Sequence, residues 1–212
     1  MKKIERIING LIIGSTFPLL FGLLSVISWF YLDGAEHKVI IYLVIGLFIG
    51  LLIDLKFLKN WINVRFDLPI WFIIAIYVIY NILVYGFFMG LPLFNIFLGL
   101  FAGYYFGNRI YYKNILNEKQ SKIINQVSLF TGLIMTLICI STGFIALTDE
   151  SVGAAIKGML GLNFNITKSM VWGIVLIGGF SLILSQILLT SFTIMKTIKF
   201  NTCKRDFHTR SI

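Results

Sequence analysis

Residues 39–55 read VIIYLVIGLFIGLLIDL, a run of seventeen whose one charge, Asp54, stands next to its end. The hydrocarbon core of a bilayer is about 30 Å thick and takes roughly 20 apolar residues per helix. A run this apolar, with Lys38 before it and Lys56 after it, reads as a transmembrane helix. Outward from it, five more stretches have the same character, at 8–32, 68–88, 92–108, 127–147 and 169–195. None of these five holds a formal charge.

The composition agrees. The chain has 212 residues, 58% of them hydrophobic and 13% charged, with a mean hydropathy of +0.91. A soluble domain carries about 25% charged residues, and the polar segments left between the apolar stretches are too short to bury a core. The sequence therefore predicts one membrane domain over 1–212, an all-α polytopic integral membrane protein with six transmembrane helices in three hairpins. An apolar run of about 25 residues with no small-x-small cleavage site keeps 8–32 as a span rather than a signal peptide.

Orientation follows from where the cations fall, because Lys and Arg collect in cytoplasmic loops. Of the 18 Lys and Arg, only Lys38, Lys157 and Lys168 lie in the connections after the first, third and fifth spans, leaving fifteen for the other side. Both termini are expected in the cytoplasm and the plasma membrane is the expected location. Aromatic anchors fit this layout: Trp29, Tyr31, Tyr85 and Trp172 fall near the outer boundary, and Trp61, Trp71, Tyr111 and Tyr112 near the inner one. The net charge of +9 thus marks a membrane side and calls for no nucleic acid. The tail from residue 196 reads as a topology signal in contact with anionic lipid.

Small residues mark the packing faces. Gly46, Gly50 and Asp54 share one helical face, as do Gly99, Gly103 and Gly107, and small residues four apart let two backbones approach closely in lipid. GLFIG at 46–50 returns as GLFAG at 99–103, which raises a weak repeat of 8–60 and 68–113. A stripe of Gly132, Thr136, Cys139 and Gly143 is expected to face one of Gly178, Ser181 and Ser185. Asp54 is expected to pair with Arg65 or Arg109 as a structural lock, or to sit in an ion path.

Catalytic signatures are missing: there is no HExxH, GxSxG, GxxxxGK[ST] or GxGxxG. DGAEH at 33–37 resembles the start of the acidic motif of lipid head-group transferases, but the Ala-Arg and later paired aspartates that should follow are absent, which excludes that family. Cys139 and Cys203 have no partner at metal spacing and are expected to be free thiols. Asp33, Glu36, His37, Asp149 and Glu150 read as solvated outer-loop residues rather than a cation site; no metal or cofactor is expected. The sequon at Asn165 matters only in a eukaryotic secretory pathway.

Six spans, inward termini, glycine faces and no energy-converting domain resemble, in size and topology, the substrate-binding subunits of energy-coupling-factor vitamin transporters. That resemblance implies solute capture from outside, driven by a separate energising complex. A pocket of this kind would draw on Trp29, Tyr31, His37, Asn95 and Trp172, with Asn81 the most polar residue near the centre of its span and Gln186 next. A structural or assembly component that binds another membrane protein is the alternative expectation. A lipid-modifying enzyme using Asp33, Glu36 and His37 is the third, and a non-enzyme is preferred. Lipid bilayer is the one partner all three share.

Overall fold

Helices follow from the solvent. In hydrocarbon no water satisfies an exposed N–H or C=O, so a spanning backbone must close its own hydrogen bonds. The computed structural model describes residues 3–32, 35–88, 90–149, 151–153, 157, 158, 161, 163 and 166–209, with side chains placed for all of these except 3–9, 11, 12, 36, 117 and 204–209. The described chain is all-helical, with no strand. Its helices are α1 (Lys3–Leu32), α2 (Val39–Asn63), α3 (Ile70–Phe87), α4 (Ile96–Tyr112), α5 (Asn117–Thr148) and α6 (Lys168–Thr209), with 3-10 turns at Glu36–Lys38 and Pro92–Asn95. Five helices are long and apolar enough to cross a membrane. The sixth, α4, has 17 residues and rises about 25 Å by itself.

Several boundaries differ from those read off hydropathy. α2 continues past residue 55 to Asn63, α5 begins ten residues before 127, at Asn117, and α6 runs on from 195 to Thr209. Helix does not stop where the apolar run stops, because Lys, Gln, Glu and Arg are good helix formers. The 92–108 stretch is split, its first four residues forming the 3-10 turn that Pro92 opens.

The chain divides into two units, residues Met1–Tyr80 and Asn81–Ile212. In the first, α1 and α2 run antiparallel: Gly22 lies against Leu43 and Leu47, Gly50 against Phe17 and Pro18, and Gly14 against Leu58. A methyl on Gly50 would come within 2.6 Å of the Phe17 carbonyl oxygen, so only glycine permits this approach. Phe17, Phe57, Trp61 and Phe72 add an aromatic cluster, with Phe17 and Trp61 stacked at 4.8 Å. Ser15 and Tyr80 share a hydroxyl hydrogen bond.

In the second unit α5 and α6 run antiparallel, Gly132 meeting Ile187 and Gly143 meeting Val175, whereas α4 and α6 run in the same direction, Gly99, Gly103 and Gly107 meeting Gln186, Thr193 and Thr197 in turn. The tight turn between α4 and α5 explains the reversal. Asn114 takes a left-handed φ of 47°, Ile115 N–H bonds back to the Ile110 carbonyl and Asn114 N–H to that of Tyr111. This is a Schellman cap, and its usual apolar contact is present, Ile115 packing on a core of Ile110, Val127 and Ile194.

The two sequence-similar glycine faces thus meet different helices, that of α2 meeting α1 and that of α4 meeting α6. The α5 stripe does face α6, but against Val175, Gly179 and Ile187; Gly178 has no atom within 4 Å of an added methyl and Ser181 is exposed. The difference is about one residue of rotation on α6.

Candidate functional site

Burial in this protein runs opposite to that of a soluble domain. Among the described residues eleven buried side chains are polar or charged and nine are hydrophobic, while long Leu, Ile and Phe rows are exposed. The buried polar groups concentrate in the second unit and follow one face of α6. Gln186, Thr190, Thr193, Thr197 and Asn201 recur at steps of four, three, four and four, which is the spacing of a single helical face.

Each step of that face meets a small or polar group on α4 or α5. Gly99 receives Gln186 and Thr190, Gly103 receives Thr193, and Gly107 receives Thr197. At one end Asn201 Nδ2 donates to Asn108 Oδ1 at 2.8 Å, and Asn108 Nδ2 donates to the Tyr104 carbonyl at 2.9 Å. In the middle the Thr131 hydroxyl lies 3.1 Å from Thr190 Oγ1 and 3.0 Å from the Ser128 carbonyl. Interhelical hydrogen bonds of this sort hold helices together in lipid, contributing about 0.6–2 kcal/mol each.

The other end is built differently. Asn95 closes the 3-10 turn before α4 and is fully buried. Its amide Nδ2 donates to the Asn81 backbone carbonyl at 2.9 Å and to Asn81 Oδ1 at 3.0 Å. Asn81 lies six residues before the end of α3, about 9 Å along the axis, so α4 starts level with the body of α3 rather than with its end. Asn95 Nδ2 is committed to Asn81, and among the described residues nothing donates to its Oδ1. Ser128 Oγ is likewise buried without a partner. Nearby, the Thr142 hydroxyl lies 3.2 Å from the Gly90 carbonyl and 3.3 Å from Tyr85 OH, pinning the α3–α4 connection to α5.

Of the six residues expected at a solute site, a direct contact joins Asn81 and Asn95. Trp29 spends its indole N–H on the Ala35 carbonyl at 2.8 Å, fastening the turn after α1. Tyr31 is 80% exposed, His37 is exposed on the 3-10 turn, and Trp172 is half exposed on α6. An aromatic ring at the headgroup level is stable there with or without a pocket. Asp33, Glu150 and Asn165 lie outside the described residues, as does the Glu36 side chain, and the described residues contain no cluster of three metal-ligating groups. Both cysteines are free.

Thr131, Thr190, Asn108 and Asn201 were not singled out by the sequence, although the α6 periodicity carries the signal. Asp54 is buried at 5% exposure, and its Oδ1 has no hydrogen-bond partner. Arg65, one of its two expected partners, donates to the Ile62 carbonyl at 2.9 Å and stacks on Phe66 at 4.4 Å. Arg109 is on α4, in the second unit. No protein family, no curated protein and no solved structure matches this chain.

Proposed function

We propose that this chain is a six-span plasma-membrane protein with both termini in the cytoplasm, that it is not an enzyme, and that it serves small-solute transport or capture, energised by a separate complex. The observation that carries the reading is the Asn95 carboxamide oxygen. It is fully buried beside Asn81 at the start of a short helix, and among the described residues it accepts no hydrogen bond. A buried acceptor without a donor costs about 1–3 kcal/mol, and a ligand N–H or O–H would recover that cost. A broken helix start within the apolar layer is also where membrane carriers place their binding sites. The helix directions support the topology: α1 against α2, α5 against both α4 and α6, and α4 along α6 is the pattern that alternating crossings produce.

The solute class that fits is small, polar and neutral, because the α4 N-terminus disfavours a cation and the Asn95 Oδ1 acceptor calls for an N–H or O–H donor rather than an anion. The test is purification in mild detergent, with mass spectrometry of retained small molecules and thermal-shift screening against sugars, amides, nucleobases and vitamins. A stabilising solute whose effect is lost in Asn95→Leu is the expected result. A chain that retains and responds to nothing would sink the reading.

A second reading, assembly with another membrane protein, is favoured by one observation. On α6, Gly178 has nothing among the described residues within 4 Å of an added methyl, and Ser181, three residues on, is exposed. Such small outward residues suit a partner helix. A co-purified membrane protein that is lost in Gly178→Leu, with no bound solute, would establish it.

A further inference from the structure

Asp54 is the one acidic residue within the apolar stretches, and it lies outside the polar column of the second unit. Its level along α1 follows from the contacts on either side of it. Gly50 touches Phe17 and Pro18, and Leu58 touches Gly14, so Asp54, midway between positions 50 and 58, is level with the α1 turn 14–18. That turn carries a carbonyl deprived of its ordinary helical donor for a covalent reason. Pro18 lies inside α1 and has no N–H, so the Gly14 carbonyl lacks its helical donor four residues on.

Asp54 Oδ1, which has no hydrogen-bond partner among the described residues, and a carbonyl without its helical donor therefore lie at one level of a tightly packed helix pair. α1 has no charged residue from 7 to 32. On α2 the nearest cations, Lys56 and Lys59, are exposed, and Lys56 Nζ lies over the Phe57 ring at 5.3 Å. Arg65 is engaged with Ile62 and Phe66, and the Tyr80 hydroxyl is on Ser15. A carboxylate withdrawn from water without a partner is strongly disfavoured, and the cheapest remedy is a small cation that both oxygens can hold.

We propose that Asp54 is the anionic ligand of a small monovalent cation, a proton or a sodium ion, held between α1 and α2 with the Gly14 carbonyl as second ligand. Alternation of this cation on and off would make α1 and α2 the coupling unit of the transport reading above. The test needs no solute, so its failure is separate from failure of that reading.

Dicyclohexylcarbodiimide is an apolar reagent that attacks protonated carboxyls within membranes. The full-length protein in lipid nanodiscs is treated with it between about pH 5 and 9, in sodium chloride or choline chloride, and modification is mapped by peptide mass spectrometry. A proton site gives labelling at Asp54 that falls about tenfold per pH unit on the alkaline side, whatever the salt. A sodium site gives labelling that sodium suppresses severalfold relative to choline. Absence of labelling at every pH, with a known membrane carboxyl labelled in parallel, overturns the proposal, and so does labelling indifferent to both pH and sodium. The mapping uses the native chain, so it does not depend on how Asp54→Asn folds. Pro18→Ala restores a donor to the Gly14 carbonyl and is expected to change the pH or sodium dependence severalfold; an unchanged profile removes the two-ligand site.

Discussion

A glycine in a membrane helix is judged by what its missing methyl leaves room for. At Gly103 an added Cβ would stand 2.7 Å from Thr193 Cβ and 2.9 Å from the Thr190 carbonyl oxygen, and the latter, being backbone, cannot step aside; at Gly178 it would meet nothing within 4 Å. Gly103→Ala is therefore expected to destabilise the α4–α6 pair by about 1–3 kcal/mol, the usual cost of overpacking. Gly178→Ala is expected to be neutral or to gain up to about 1 kcal/mol from helix propensity. Detergent melting curves of the two variants beside the wild type check this, and equal losses would mean that α4 and α6 do not pack as described. Spacing in the sequence marked Gly103 and Gly178 alike as packing residues. It could not tell them apart, because that depends on which way α6 is rotated, and a stripe of Gly and Ser shifted by one residue has almost the same composition.

At the scale of elements, hydropathy marks the apolar stretches and only some of the helix ends. The apolar run at 127–147 stops at Leu147, and α5 stops at Thr148, where Asp149 takes over. Ser151 backbone N–H donates to Asp149 Oδ1 at 2.8 Å, and hydrogen bonds from the Ser151 hydroxyl and N–H hold the Asp149 carboxyl below its ordinary value of 3.8. A carboxyl depressed in the folded state lends stability that is complete above its unfolded value and lost as pH falls through the folded one. The turn after α5 should thus stay formed at neutral pH and loosen only on acidification past about 3.8. A carboxyl-carbon NMR titration of Asp149 should find its midpoint under that value, moving back up in Ser151→Ala, and a midpoint at or above it would remove the cap. The same limits apply to the candidate site. Asn81 and Asn95 each stand out as polar residues in apolar surroundings, but their pairing depends on the 3-10 turn before α4, and no hydropathy window resolves a four-residue turn. Trp29, Tyr31, His37 and Trp172 are residue types suited to an interface, where the same side chains are equally stable with or without a ligand.

For the whole molecule, the inverted burial and the charge asymmetry rest on one physical fact, the solvent on each side of every residue. α6 has 42 residues, about 63 Å of helix, twice the thickness of a hydrocarbon core. Its surplus follows Met195 and carries Lys196, Lys199, Lys204 and Arg205, so the six-span topology makes it project on the cation-rich side. The two native cysteines allow a direct check, since Cys203 is exposed near the end of α6 and Cys139 lies within the α5 span. A membrane-impermeant maleimide should leave the native chain unlabelled in intact cells and label Cys203 in inverted vesicles. In a Cys203→Ser background, His37→Cys on the exposed turn before α2 should show the reverse, labelled from outside in intact cells. Six crossings place positions 37 and 203 on opposite faces, whereas loss of one crossing between them, with α4 failing to span, places them together. Labelling of both from the same side would thus remove α4 as a span, and with it the sunken Asn95 site.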